Sequence, residues 1–181
     1  MKTSFVGSTA RCAFVAVLCG LVPPAYAAKS IKVTMNLITV DGVGKSVGTI
    51  TIKEGKDGVT LEPKLKDLPP GEHGFHVHEK PSCDPADKDG KKTAGQAAGA
   101  HYDPDATKAH KGPGGGGHKG DLPKLVVSDK GEAKDKLEVK GVTLADFQGR
   151  ALMIHAGGDN YSDAPKPLGG GGDRIVCGVA K

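Results

Sequence analysis

Ile31-Lys32-Val33-Thr34-Met35-Asn36-Leu37-Ile38-Thr39-Val40, then Asp41-Gly42-Val43-Gly44, then Val47-Gly48-Thr49-Ile50-Thr51-Ile52: this stretch decides the class of fold. In an extended chain successive side chains point to opposite faces, so Ile31, Val33, Met35 and Leu37 share one face of a first strand. The glycines at 42 and 44 turn the chain, and Val47, Thr49 and Thr51 alternate with Ile50 and Ile52 in a second. Lys56-Asp57-Gly58 turns it again into Val59-Thr60-Leu61. Outward from there, Gly74 to His78, Leu122 to Val127, Ala133 to Val139, Ala151 to His155 and Arg174 to Val179 read as further strands. Only Leu144 to Phe147 suggests a helical turn. About eight short strands with glycine-rich turns predict an all-β sandwich or barrel.

Composition agrees and excludes some roles. The 181 residues include 28 glycines, about twice the usual share of roughly 7% and without a collagen period, so the excess belongs to turns and loops. Aromatic residues make up 4% with no Trp, which argues against a large aromatic binding groove. A net charge of +4 is too slight to point to nucleic acid.

Upstream of the first strand the chain reads as an export address. Lys2 and Arg11 precede the apolar run Cys12 to Val22, then Pro23-Pro24 and Ala25-Tyr26-Ala27. A basic start, a short apolar stretch and an A-x-A site predict a secretory signal peptide over residues 1–27, leaving one domain over 28–181. The run is too short for a bilayer, which takes about 20 residues, and no later run reaches that length. Cys19 follows Leu18 rather than a small residue, which argues against a lipoprotein. Cleavage removes Lys2 and Arg11, lowering the charge from +4 to +2, and removes Cys12 and Cys19. Cys83 and Cys177 remain, and in an exported domain they most simply form one disulfide. Closing so long a loop stabilises by about 4–5 kcal/mol in the chain-entropy account.

Two stretches, Glu79 to Asp121 and Ala156 to Asp173, contain no strand pattern; loops this long are functional or disordered. The histidines favour function. His76 and His78 form a His-Val-His on a strand, so both rings point to one face. Such a pair alone is commonly incidental. Within the first long loop, His101, His110, His118 and Asp121 supply three imidazoles and a carboxylate, a closed four-coordinate set that suits zinc. Metal binding there also orders a loop that lacks a core of its own. His76, His78 and His155 then offer three nitrogens to a second ion, and His101, with two ring nitrogens, can serve both. Three or four imidazoles suit copper.

Gly-Phe-His-Val-His-Glu-Lys-Pro-Ser-Cys (74–83), His-Tyr-Asp-Pro (101–104), Gly-His-Lys-Gly-Asp-Leu-Pro (117–123), Ile-His-Ala-Gly-Gly-Asp-Asn-Tyr-Ser-Asp (154–163) and Gly-Gly-Gly-Gly-Asp-Arg-Ile-Val-Cys-Gly (169–178) resemble the bacterial copper,zinc superoxide dismutases. The likeness runs in order from about residue 30 to the end. It implies a Greek-key β-sandwich, or flattened barrel, with two long functional loops. It further implies one copper on His76, His78, His101 and His155, and one zinc on His101, His110, His118 and Asp121. Asp159 becomes the carboxylate linking His76 to His110, and Arg174 the cation at the copper mouth, with the Cys83–Cys177 disulfide tying the first loop to the last strand. The implied reaction is disproportionation of superoxide anion, with Arg174 and His101 as the catalytic side chains, in the periplasm. Ala100 and Val176 stand where the family usually has glycine and alanine.

Other features read plainly. His73 lies outside the implied ligand set. Lys80, Lys91 and Lys92 are candidates for steering an anion, and ordinary solvated lysines explain them equally well. Gly112 to Gly117 has phosphate-loop spacing, yet His118 replaces the required lysine. Two rival functions share the histidines: a periplasmic copper or zinc buffer without turnover, and a zinc hydrolase, which Asp121 disfavours by closing the zinc set. Monomer and homodimer both stay open.

Overall fold

The computed structural model describes Met1 and residues 29–181. The expected signal peptide therefore lies, apart from Met1, outside the described residues. Eleven strands are described: β1 (Ser30–Thr39), β2 (Gly42–Glu54), β3 (Gly58–Leu65), β4 (Gly71–His73), β5 (Phe75–His78), β6 (Ala86–Lys88), β7 (Lys91–Thr93), β8 (Leu125–Val127), β9 (Leu137–Lys140), β10 (Arg150–His155) and β11 (Arg174–Ala180). Short 3-10 turns occupy Gln96–Ala98, Leu144–Asp146 and Leu168–Gly170. Seven strands pair antiparallel in the order β5-β10-β11-β1-β2-β3-β9, with β4-β8 and β6-β7 as separate pairs. The all-β Greek-key sandwich expected from the sequence is thus present.

Three details correct the sequence reading. The count exceeds eight because β4 precedes the strand expected from Gly74, and because Glu79 to Asp121 is not strandless: β6 and β7 form a hairpin of three-residue strands, Ala-Asp-Lys and Lys-Lys-Thr, too short and polar to show alternation. The strand expected over Ala133 to Val139 begins only at Leu137, with Ala133 making a single bridge to Leu65. The strand expected from Leu122 shortens to Leu125–Val127, although Leu122 is fully buried.

Period-two alternation divides β10 between two cores. Leu152 and Ile154 face inward with Val33, Ile50, Leu61 and Phe75. Ala151 and Met153 face outward into a smaller cluster with Ile38, Ala98, Cys83 and Cys177. That outer face is covered because the Cys83–Cys177 disulfide, spanning 94 positions, ties the loop after β5 onto β11. Strand β5 divides the same way. Phe75 and Val77 enter the main core, so His76 and His78 must point to the outer face, paired opposite Met153 and Ala151. His155, next in parity after Met153, joins them. Three imidazoles therefore lie on one sheet face, beneath both long loops.

Candidate metal centre

The first long loop is laid against β5 by two isolated bridges, Asp121 opposite His76 and His101 opposite His78. Those bridges bring the loop's histidines onto the face that β5 and β10 present. His76, His78, His101 and His110 are all at least 97% buried, and His155 nearly so. The rings of His76 and His101 stack with centroids 3.9 Å apart.

Hydrogen bonding decides which nitrogen of each ring is free. His78 Nδ1 lies 3.0 Å from the Gly99 carbonyl and His155 Nδ1 3.1 Å from that of Gly172. A carbonyl only accepts, so both Nδ1 atoms carry the proton and both Nε2 atoms keep a lone pair. Asp159 does the converse for two others: its Oδ2 accepts from His76 Nε2 and its Oδ1 from His110 Nε2, each at 2.8 Å. The opposite nitrogens, His76 Nδ1, His78 Nε2, His110 Nδ1 and His155 Nε2, are buried without a hydrogen-bond partner, as is His118 Nδ1. Orphaned buried polar atoms cost about 1–3 kcal/mol each. Five of them converging in one place fit metal ions, for which a lone pair is what is needed.

The donor atoms fall into two groups that each lie within 4.8 Å: His76, His78, His101 and His155, and His76, His101, His110 and Asp121. His118 falls outside the second group, yet its Nδ1 is 3.3 Å from Asp121 Oδ1, beside His101 Nδ1 at 3.1 Å and His110 Nδ1 at 3.0 Å. The His110 and His118 approaches lack hydrogen-bond geometry, so these atoms ring a common point. Donors 2.0–2.1 Å from a tetrahedral ion stand about 3.3 Å from one another, which is the spacing found.

Charge follows the same division. Burial pushes His76 and His78 below the ordinary imidazole range, with Arg174 adding to the shift at His78 and Asp159 opposing it at His76. Burial also lowers His155 to about 3 and His101 to about 4, the latter against the pull of Asp121. These rings are neutral, the form that binds metal. At His110 burial is outweighed by Asp121 and Asp159, which raise it to about 9, so a metal ion there displaces a proton. Burial alone would raise both Asp121 and Asp159; their histidine partners overcome it and hold both carboxyls well below the usual range.

Comparison with known proteins identifies the family. Residues 46–180 match the family described as copper/zinc superoxide dismutase. The chain belongs to that family. A copper-zinc superoxide dismutase of Escherichia coli K12 is 53% identical over 167 residues, 92% of this chain and 96% of the relative. A second from Salmonella typhimurium is 56% identical over 155 residues, 85% and 90% of the two chains. The solved Cu/Zn superoxide dismutase of Brucella abortus superposes with a TM-score of 0.83 at 48% identity, covering 84% of this chain and all of that one.

Within this copper/zinc superoxide dismutase fold Arg174 opens β11 opposite His155. Its Nη1 donates to the Gly95 carbonyl and its Nη2 to that of Gly99, both at 2.7 Å. The Gly99 oxygen thus receives both Arg174 and His78. His73 is buried with Nδ1 2.7 Å from the His155 carbonyl and Nε2 2.8 Å from that of Pro69, leaving no nitrogen for a metal. Lys91 and Lys92 project from β7 into solvent and Lys80 is likewise exposed. The main-chain groups of Gly95, Gly99 and Gly172 escaped sequence reasoning, because a carbonyl's role carries no residue signature.

Proposed function

We propose that His76, His78, His101 and His155 hold one copper, that His101, His110, His118 and Asp121 hold one zinc, and that His101 serves both through its two nitrogens. The convergence of unpartnered histidine nitrogens on two adjacent points carries this reading. The reaction is disproportionation of two superoxide anions, with two protons, to dioxygen and hydrogen peroxide. Copper, when bound, supplies the alternation between Cu(II) and Cu(I) that the reaction needs and zinc cannot provide.

The chain's own groups do the rest. Arg174 commits one N–H of each terminal nitrogen to a carbonyl, which fixes the fork and leaves further donors for a small anion. His101 turns Nδ1 toward Asp121, so Nε2 faces the copper set and would be the nitrogen to carry a proton to departing peroxide when it is not holding copper. Asp159 holds the tautomers of His76 and His110 together, coupling the two sets. Metal buffering without turnover explains the histidines but gives no role to the anchored Arg174, and it sits poorly with relatives named for superoxide dismutation.

Export also belongs to the proposal. Residues 1–27 serve as a cleaved signal peptide and residues 28–181 work in the bacterial periplasm. The disulfide supports this, since such bonds persist in oxidising compartments. No described helix is long and apolar enough to cross a membrane. The deciding measurement is the superoxide disproportionation rate of residues 28–181, oxidised and loaded with one copper and one zinc. Turnover that disappears on copper removal, and falls strongly in Arg174→Ala with metal content unchanged, establishes the assignment. Unchanged turnover in that variant rejects Arg174 as the anion guide, and no turnover with both metals bound favours the buffer.

A further inference from the structure

The second long loop reaches the zinc side through more than Asp159. Asp163 is exposed, so packing does not explain its place, yet both of its oxygens are engaged across the two loops. Its Oδ2 accepts the backbone N–H of His110 at 2.8 Å, and its Oδ1 accepts the backbone N–H of Leu168 at 3.1 Å. Bonds from amides to an ionised carboxylate are the stronger kind. They hold Leu168 at φ 54°, a left-handed conformation that a leucine adopts only under constraint. Leu168 leads into Gly169, also left-handed, whose backbone lies so close over the site that a Cβ there would collide with Asp159 Oδ1 and stand 2.8 Å from His110 Nε2. Between the two carboxylates, Tyr161 donates its backbone N–H to Asp159 Oδ1 at 2.7 Å and accepts the Lys124 N–H at its hydroxyl at 3.0 Å. Its ring fills the space a Cβ at Gly112 would need.

We propose that Asp163 is a positioning residue of the metal centre: it latches the second long loop onto the main chain of His110 and so fixes the ring that Asp159 couples to His76. This rests on the reading of His110 as a zinc ligand. Asp159 orients the imidazole from its far nitrogen, while Asp163 locates the backbone from which that imidazole hangs. The two carboxylates, four positions apart, therefore define one ligand at both ends.

The test uses the disulfide-bonded chain loaded with copper and zinc, and follows zinc release to the chelator 4-(2-pyridylazo)resorcinol. Amide hydrogen exchange at His110, Leu168 and Val176 is recorded alongside. Asp163→Ala is expected to release zinc on the order of 10-fold faster, the lower end for loss of a supporting partner, with protection lost at His110 and Leu168 and kept at Val176. Asp163→Asn, which keeps one acceptor oxygen and turns an NH₂ toward the other amide, is expected between that variant and the parent. His110→Ala, run in parallel, is expected to lose zinc outright. Parent-rate release from Asp163→Ala while His110→Ala has lost its zinc overturns the latch and leaves the ligand assignment standing. Uniform loss of protection in both Asp163 variants, Val176 included, overturns it in favour of a general role in the fold. Full zinc retention in His110→Ala overturns the ligand assignment and the latch with it.

Discussion

The two halves of the metal centre are built by different means. His76, His78 and His155 stand on β5 and β10, where the side chains of alternate residues are already committed to the core: Phe75 and Val77 beneath the first pair, Ile154 beneath the last. Their positions follow from strand periodicity and do not wait for a metal. His110, His118 and Asp121 stand on a loop with little buried apolar surface of its own, located by two bridges, two carboxylate partners and a disulfide at its edge. The proposed copper half is a surface of the sheet. The proposed zinc half is assembled on it, and an ion bound there would supply part of its order.

Reducing the Cys83–Cys177 bond frees the loop that covers β10, and by loop length should cost about 4–5 kcal/mol of stability. Denaturant midpoints of the reduced and oxidised metal-free protein measure it; a difference under about 1 kcal/mol would show that the loop is held by its other contacts. Phe75→Ala tests the strand half from beneath. Phe75 is fully buried, and its truncation should destabilise by about 3–5 kcal/mol and loosen His76 and His78 together. If copper affinity stays at the parent value in that variant, the sheet is not what places those rings.

Asp159→Ala distinguishes the halves directly. Zinc affinity should fall about 10–100-fold, whereas copper affinity should fall less because β5 still holds His76. Equal losses for both metals would dissolve the distinction between halves. The smallest effect lies on the sheet remote from the loops. Glu62 on β3 accepts from Lys53 at 2.7 Å and Lys136 at 2.9 Å, which together lower its pKa from 4.5 to about 2. Its contribution is present above pH 4.5 and is lost as pH falls from there toward 2. The midpoint difference between the parent and Glu62→Gln should therefore shrink across that window, and a gap constant down to pH 2 would show that the pairs do not matter.

What the sequence could reveal follows the same division. Alternation in His76-Val77-His78 showed that both rings share one face, since a strand has one rule for side-chain direction; the core position of Phe75 and Val77 behind them came from the structure. The candidate loop ligands were legible as residue types in a run that made one closed set, and the family resemblance implied the same grouping. What was hidden depends on backbone paths: the β6–β7 hairpin, the carbonyls of Gly99 and Gly172 that fix two tautomers, and the reach of Asp163 to His110. No local pattern records where a main-chain oxygen will come to rest.

The Gly99 carbonyl has one such consequence. It accepts from His78 on one side and from Arg174 on the other, so a single oxygen orients both a candidate metal-site ring and the cation we propose receives the incoming anion. Turning that peptide away would release both side chains from it at once, while β5 and β11 would still hold their backbones. On the proposed assignment, one carbonyl therefore sets the aim of landing place and redox centre alike.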